Sequence, residues 1–355
     1  MCRRLISRYC YWRGTQAVFG LLVLACALRG ESGAGGANPK SLSETGLYSD
    51  FAAKSIAKEN LMYSPQYALW SDGAAKKRWV YLPPGATIDA SDAENWTFPV
   101  GAKFWKEFTF GERVETRIIE KTAPEKWSYQ TYAWNEEQTD AFLVGANGSR
   151  NHCEIAEGIK HDIPGVNDCK VCHEGDGRDV ILGFSALQLS PDRDSLAPHA
   201  EKFDSTMIDL NFLIVQGRLT NLADEFKTKP PRIQGKTPRE RAALGYIWAN
   251  CGGCHNADDP LASVGMELKL PLRPDSSGQD SALASVVGHP SKFKIPDNGE
   301  DPTYRILPGY PEHSSLIYRM QTRNPIRQMP PLGTKIVDQE AVDLISEWIR
   351  EDLGK

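Results

Sequence analysis

The chain has 355 residues, of which 41% are hydrophobic and 25% are charged, a composition typical of a soluble globular protein with two or three domains. Its formal net charge is −5; because residues 1–25 contain four arginines and no acidic residue, the remainder carries 37 basic and 46 acidic residues, a balance of −9. That negative balance argues against nucleic acid or an anionic membrane surface as a partner.

Residues 1–25 have the pattern of a secretory signal peptide. Four arginines come first, and the apolar run "TQAVFGLLVLACAL" that follows is short for a membrane span. Export to the periplasm or the cell surface is therefore expected. "VLAC" at 23–26 is similar to a bacterial lipobox, in which Cys26 would carry a lipid anchor for the outer membrane; the alternative is plain cleavage with loss of Cys26. Residues 26–46 are rich in Gly, Ala and Ser and are predicted to be a flexible linker.

Residues 47–146 are predicted to form an all-β domain, a sandwich or a meander. "KKRWVYLPPG", "NWTFPVGAKFWKEFTF", "RVETRIIEKT", "KWSYQTYAW" and "DAFLV" are rich in aromatic and β-branched residues and are separated by turn signals. Six tryptophans fall in this region: Trp70, Trp79, Trp96, Trp105, Trp127 and Trp134. They fit either a core with cross-strand pairs, which we favour, or a carbohydrate-binding platform.

Residues 147–230 contain "CKVCH" at 169–173, and the same pattern recurs as "CGGCH" at 251–255. C-x-x-C-H is the attachment signature of c-type haem: two thiols add to the two vinyl groups of the porphyrin, and the histidine binds the iron. A redox dithiol or half a zinc site would share the C-x-x-C spacing, but neither needs the adjacent histidine. Two copies in an exported chain predict two covalently bound haem c groups.

The other axial position of the first haem has no clear ligand in the sequence. His161 and His199 are the leading candidates because both lie in this segment beside loops that would pack around the porphyrin; His152, Met207 or no side chain are the remaining ones. An open iron face would permit binding of a small ligand. Cys153 is predicted to be a buried thiol rather than a ligand. "EKFDSTMIDLNFLIVQGRL" is predicted to be helical, and "KTKPPRIQGK" a linker.

Residues 236–355 are predicted to form an all-α domain. Thr237, Pro238 and Glu240 have the spacing of a capping box at the start of a helix that runs into the second motif. "SSLIYRMQ" and residues 338–353 predict two further helices from their apolar spacing.

Met329 lies in "RQMPPLGT", between a glutamine and two prolines, where the chain is stiff and extended. A thioether is a suitable sixth ligand for the iron bound by His255, and a stiff loop would hold it in place in both oxidation states. Met266 and Met320 are the competitors; Met320 has the position of a helical core residue. The predicted cofactor-binding residues are Cys169, Cys172, His173, Cys251, Cys254, His255 and Met329, of which His173, His255 and Met329 would bind iron.

The order "CGGCH", "PGYPEHSSLIYRM", "MPPLGT", "AVDLISEWI" resembles the class I cytochrome c domains of bacterial periplasmic proteins. The chain from "YSPQYALWSDGAAKKRWVYLPPG" through "CKVCHEGDGRDVILGFSALQLSPDRD" resembles a family of exported bacterial di-haem c-type cytochromes. The resemblance implies covalent haem at both motifs and a redox role, and it supplies no substrate. It covers the same seven residues, from Cys169 to Met329.

The expected fold is therefore α+β and multidomain, with an N-terminal all-β domain followed by two haem-binding segments, the second of them cytochrome c-like. The expected function is electron transfer between redox partner proteins, an oxidoreductase and an acceptor. One alternative is a di-haem peroxidase-like enzyme with an open first haem. Another is a glycan-binding β-domain coupled to a redox module.

Overall fold

The computed structural model describes residues 38–174, 180–258, 261–272, 283–296, 299 and 301–354. The predicted signal peptide, Cys26 and most of the predicted linker lie outside these residues. The expected mixture of helices and strands is confirmed, with a large β-sheet. No helix in the described part of the chain combines the length and apolarity needed to cross a membrane.

The strands are β1 (Tyr48–Asp50), β2 (Ser55–Ile56), β3 (Leu61–Tyr63), β4 (Ala75–Tyr81), β5 (Ile88–Asp89), β6 (Lys103–Phe110), β7 (Glu112–Ala123), β8 (Lys126–Trp134), β9 (Ala141–Leu143), β10 (Ser149–Ala156), β11 (Ile159–Ile163), β12 (Met207–Ile208) and β13 (Leu219–Thr220). The α-helices are α1 (Val166–His173), α2 (Leu210–Val215), α3 (Asp224–Thr228), α4 (Pro238–Cys251), α5 (Ser315–Gln321) and α6 (Gln339–Glu347), the last continued by a π-helical turn, Trp348–Asp352.

The main sheet has seven strands in the order β12-β3-β4-β6-β7-β8-β9. From β3 to β9 it is an antiparallel meander, as the aromatic and β-branched segments predicted. The edge strand β12 runs parallel to β3, with Met207 opposite Met62. The helix predicted around β12 is therefore limited to α2, because Asp209 caps α2 at the Phe212 N–H (2.8 Å) and the residues before it pair with the sheet.

Each face of the sheet is covered by a different part of the chain. On one face, aromatic side chains of β4, β6 and β8 pack with Leu42 and Leu47. On the other, Val80 and Phe104 pack with Phe184 from the segment that follows α1. The side chains of Trp79, Trp96, Trp105 and Trp134 are buried, which supports their interpretation as core residues; Trp70 and Trp127 are half-buried.

The second of these cores continues without a break from the sheet into the C-terminal helices. It includes Val80 of β4, Leu244 of α4 and Ile345 of α6 in one cluster of contacting side chains. Gly245 of α4 lies so close to the ring of Tyr67 that a Cβ at this position would overlap it. The core therefore extends across the boundaries predicted at residues 146/147 and 230/236.

The C-terminal helices begin and end close to the predicted residues. The Thr237 hydroxyl accepts a hydrogen bond from the Glu240 N–H (3.0 Å) at the start of α4, and Leu244, Ile247 and Trp248 are buried along one side. Asp338 caps α6 at the Ala341 N–H (3.1 Å). Local capping and apolar spacing were sufficient to predict these helices.

Candidate functional site

The first C-x-x-C-H motif lies on α1, which spans eight residues and ends at His173. Asp168 accepts a hydrogen bond from the Gly165 N–H (3.0 Å) at the start of the helix and pairs with Arg150 at 2.8 Å. At the other end of the helix, the Tyr129 hydroxyl on β8 donates to the His173 carbonyl (3.1 Å). The helix that carries the motif is thus attached to the main sheet at its C-terminal end.

His173 has a defined tautomer. Its Nδ1 lies 2.6 Å from the Val180 carbonyl oxygen, which can only accept, so Nδ1 carries the proton and Nε2 carries the lone pair. Burial lowers the pKa of His173 to about 4, with smaller contributions from Lys106 and Arg117 that oppose protonation. At neutral pH the imidazole is therefore uncharged, with Nε2 in the form that binds a metal.

The two thiols of the first motif differ in exposure: Cys169 is half-buried and Cys172 is exposed. Burial raises the pKa of the Cys169 thiol above its usual value, and the positive charge of Arg117 offsets part of that increase. Neither cysteine forms a disulfide. Both thiols are thus in the reduced form that addition to a vinyl group requires.

The second motif forms the end of α4. Cys251 is the last helical residue, and its carbonyl accepts from the backbone N–H of Cys254 (3.1 Å) and of His255 (2.9 Å), so the motif continues the helix as a tight turn. Gly252 is required by close packing, since a Cβ there would lie 2.7 Å from the Trp248 carbonyl oxygen. Burial raises the pKa of the Cys251 thiol to about 12.

The Met329 loop is held by hydrogen bonds from both sides. The Met329 N–H donates to the Arg319 carbonyl of α5 (2.8 Å), and the buried side chain of Gln328 donates across the loop to the carbonyls of Pro330 (3.2 Å) and Thr334 (3.4 Å). The Met329–Pro330 peptide bond is cis. The loop is thus braced by a glutamine as well as stiffened by prolines.

The three methionines of this region have different surroundings. Met320 is buried in α5, and Met266 is half-buried against the main core. Met329 is also half-buried, but it belongs to neither hydrophobic cluster of the described residues. Its position does not match that of a core-filling side chain.

Within the predicted C-terminal domain, several buried donors have no hydrogen-bond partner among the described residues. They are the Trp248 indole N–H, the Arg323 Nε and Nη1, the Thr334 hydroxyl and the Trp348 indole N–H. Such groups are costly unless a hydrogen-bond acceptor meets them. Haem carries two propionate carboxylates, so the donor set here fits that group.

His161 and His199 are both bonded to carboxylates. The Nε2 of His161 lies 3.0 Å from Glu115, which is fully buried and also pairs with Arg117 at 2.6 Å. The Nε2 of His199 lies 2.8 Å from Asp338, and its Nδ1 lies 3.4 Å from Glu340, at the start of α6. His161 is thus hydrogen-bonded to the main sheet below α1, and His199 to the start of the C-terminal helix α6.

The remaining candidates lie in strands. His152 is half-buried in β10, with its Nδ1 3.2 Å from the Ser149 hydroxyl, and Met207 is half-buried in β12. Cys153, also in β10, is buried and forms no disulfide, as expected. Among the described residues, no group of three or more His, Cys, Asp or Glu side chains is arranged to hold a metal ion.

Sequence reasoning missed three features of these sites: the Val180 carbonyl that orients His173, the Gln328 side chain that braces the loop, and a set of basic side chains on the sheet below α1. The basic residues within the segments that form β4 (Lys76, Lys77 and Arg78) and β6 (Lys103 and Lys106) were a signal for the third. The neighbours of these residues depend on strand register, which the sequence does not specify.

Comparison of the chain with protein-family models, curated proteins and solved structures finds no match.

Proposed function

We propose that the chain is an exported di-haem c-type cytochrome that carries electrons between an oxidoreductase and an acceptor. The observation that carries the proposal is His173. It ends a helix bearing both motif cysteines, donates its Nδ1–H to a backbone carbonyl, and leaves Nε2 uncharged and available. Neither a redox dithiol nor a structural helix would need that arrangement.

Haem bound at these positions supplies one-electron chemistry between ferric and ferrous iron. Cys169 and Cys172 would hold the first group and Cys251 and Cys254 the second. His173 and His255 would each bind one iron, and Met329 would be the second axial ligand of the latter. Rigid support is favourable for such a role, because a ligand that moves on reduction slows electron transfer; the hydrogen bonds of Gln328 and Arg319 provide it for Met329.

The proposal includes a class I cytochrome c-like organisation of residues 236–355. It is supported by the order of α4 with its terminal C-x-x-C-H, then α5, the Met329 loop and α6. The proposal also includes membership of the exported bacterial di-haem family that the sequence resembles. Export by the signal peptide, with anchoring at Cys26, is consistent with this role because c-type haem is attached outside the cytoplasm.

Haem content tests the proposal directly. The full chain, expressed with a haem-maturation system and analysed by intact mass, is expected to carry two covalent haems. Replacing Cys251 and Cys254 with alanine should remove one haem, and replacing Cys169 and Cys172 should remove the other. A control change of Cys153 to alanine should leave both. A mature protein without a haem adduct would refute the proposal.

A second candidate function, a di-haem enzyme, is favoured by one observation. The two leading sixth-ligand candidates, His161 and His199, are bonded to Glu115 and Asp338. If they keep these partners, the first iron has an open face and can bind a small ligand. Rapid cyanide binding by the oxidised protein, with peroxide turnover, would support the enzyme. Absent binding, with access gained in His161→Ala or His199→Ala, would support the carrier.

A further inference from the structure

Four basic side chains lie together on the sheet face below α1; we call Lys76, Arg78, Lys106 and Arg117 the cationic face. Strand register brings three of them into one line, because Arg78 pairs with Lys106 and Lys106 pairs with Arg117 across β4, β6 and β7. Lys76 is two residues from Arg78 and therefore points to the same side of the sheet. Like charges opposite one another on a sheet are unfavourable unless something compensates for them.

The cationic face is next to the first C-x-x-C-H motif. Thr131 of β8 continues the line beyond Arg117, and its hydroxyl lies beside Cys169. The charges of Lys106 and Arg117 also reach His173, where they oppose its protonation. One end of the line is thus at the motif cysteines, and Lys106 stands two strands away, about 10 Å at the usual strand spacing.

The face holds more positive charge than its own carboxylates balance. Glu201 pairs with Arg78 at 2.8 Å, and Glu115 pairs with Arg117 at 2.6 Å. Lys76 donates to the Ala74 carbonyl (3.1 Å), and the Lys106 ammonium lies 4.9 Å from the centre of the buried Phe108 ring. Among the described residues, these four cations have two carboxylates at ion-pair distance, so two of the positive charges have no ion pair there.

Burial makes that excess unfavourable. Lys76 and Lys106 are half-buried. Desolvation, with the neighbouring cations, lowers the pKa of Lys76 to about 8 and that of Lys106 well below its usual value. Half-buried ammonium groups of this kind are stabilised by an anion that carries matching charge and leaves no room for bulk water.

We propose that the cationic face binds the two propionate groups of the first haem, with Lys106 and Lys76 as their partners, an inference that rests on covalent haem at Cys169 and Cys172 as proposed above. The propionates leave the porphyrin at the edge opposite the two vinyl groups. Attachment at the cysteines near Thr131 therefore directs them across the sheet, toward β6 and β4. Two carboxylates match the charge of these two lysines.

The reduction potential of the first haem tests this pairing in the full-length protein. Lys106→Gln leaves the propionate charge less compensated, which disfavours addition of an electron to the iron. At a fixed applied potential, the ferrous-to-ferric ratio of the first haem is expected to fall about tenfold, equivalent to about 59 mV for a one-electron couple. The second haem, identified by the near-infrared band of its sulfur-ligated ferric iron, should titrate unchanged.

Matched variants separate charge from fold. Lys106→Arg keeps the charge and should retain most of the potential. Lys76→Gln should lower the reduction potential of the same haem. This variant replaces Lys106→Gln in the experiment if Lys106→Gln fails to fold. The control is Lys77→Gln, which makes the same change of charge at an exposed residue on the opposite side of β4 and should have little effect.

Two results would overturn the inference, and they are distinguishable. If intact mass shows haem at the first motif but neither lysine variant shifts its potential beyond the Lys77→Gln control, the propionates bind elsewhere and the proposed function stands. If no haem is attached at Cys169 and Cys172, the inference fails together with the proposed function.

Discussion

Whether a histidine can bind iron depends on which ring nitrogen keeps its lone pair. The hydrogen bond made by the other ring nitrogen decides this. In His173 that bond goes to the Val180 carbonyl, seven residues further along the chain, whereas the Nε2 of His161 is occupied by Glu115. His161 is buried and His173 is half-buried, so residue type and exposure alone would not select either as a ligand. Their hydrogen-bond partners distinguish them, and the sequence does not specify those partners, so it left the axial ligands of the proposed first haem open.

Met329 provides a test at the level of a single residue. Replacing it with alanine should abolish the weak near-infrared absorption of sulfur–ferric iron ligation and lower the potential of the second haem, because axial ligands set haem potentials over about 0.8 V. The measurements are absorption spectroscopy and a potentiometric titration. Met266→Ala is the control, since Met266 packs against the core; loss of the band in that variant alone would contradict the assignment.

The carboxylate of Asp338 forms hydrogen bonds with three elements that are far apart in the chain. Asp338 caps α6 with one carboxylate oxygen, which also meets His199 (2.8 Å), and its other oxygen accepts from the Tyr246 hydroxyl of α4 (2.9 Å). His199 has a left-handed backbone (φ +58°) and its ring lies against Trp70. One carboxylate thus joins α4, α6 and the loop before β12.

The bond between His199 and Asp338 predicts a pH dependence of stability. Hydrogen bonding to Asp338 raises the pKa of His199 above its unfolded value of about 6.5. The bond therefore contributes fully below pH ~6.5 and is lost as pH rises through the higher, folded pKa. Relative to His199→Asn, the wild type should lose about 1 kcal/mol of unfolding free energy in urea over that range, the scale of a partly screened charge-assisted bond.

The control for this experiment is His289→Asn at an exposed histidine. Asparagine is chosen because it tolerates the left-handed backbone at position 199. An unchanged pH profile in His199→Asn would show that the bond does not contribute to stability.

The whole molecule is organised around a core shared by the sheet and the C-terminal helices. Several contacts join them, among them Gly245 against the Tyr67 ring, the Asn250 amide to the Ala68 carbonyl (3.0 Å), and the Trp70 indole to the Ile336 carbonyl (3.0 Å). Residues 67–70 of the predicted β domain are therefore packed against the segment proposed to hold the second haem. This arrangement favours a single cooperative unfolding transition.

Gly245→Ala tests that cooperativity. Its Cβ would overlap the ring of Tyr67, whose hydroxyl is bonded to buried Asp194 (3.1 Å), so the substitution should cost about 1–3 kcal/mol through overpacking. Tryptophan fluorescence, to which the six tryptophans between positions 70 and 134 contribute most, and far-UV circular dichroism of the helices should shift together to lower urea concentration. Gly145→Ala, at an open and exposed position, is the control. Two transitions that separate in the variant would indicate independent domains.

The sequence by itself determined the features that depend on neighbours in the chain. Runs of aromatic and β-branched residues predicted β4 and β6–β9, a capping box and apolar spacing predicted α4, apolar spacing predicted α6, and the C-x-x-C-H spacing marked the two candidate attachment motifs. These signals act over a few residues, so no tertiary information is needed to recognise them. The one long helix that failed, around β12, was interrupted by pairing with β3, a strand more than 140 residues earlier.

Only the tertiary structure decided the features that join distant residues. Strand register aligned Arg78, Lys106 and Arg117. Tertiary packing placed Glu115 within hydrogen-bond distance of His161, and Asp338 within hydrogen-bond distance of His199. The same packing merged the predicted domains around one core. A one-residue change of register would send each of these side chains to the opposite face of the sheet, so the charge that surrounds the first motif follows from the fold and not from composition.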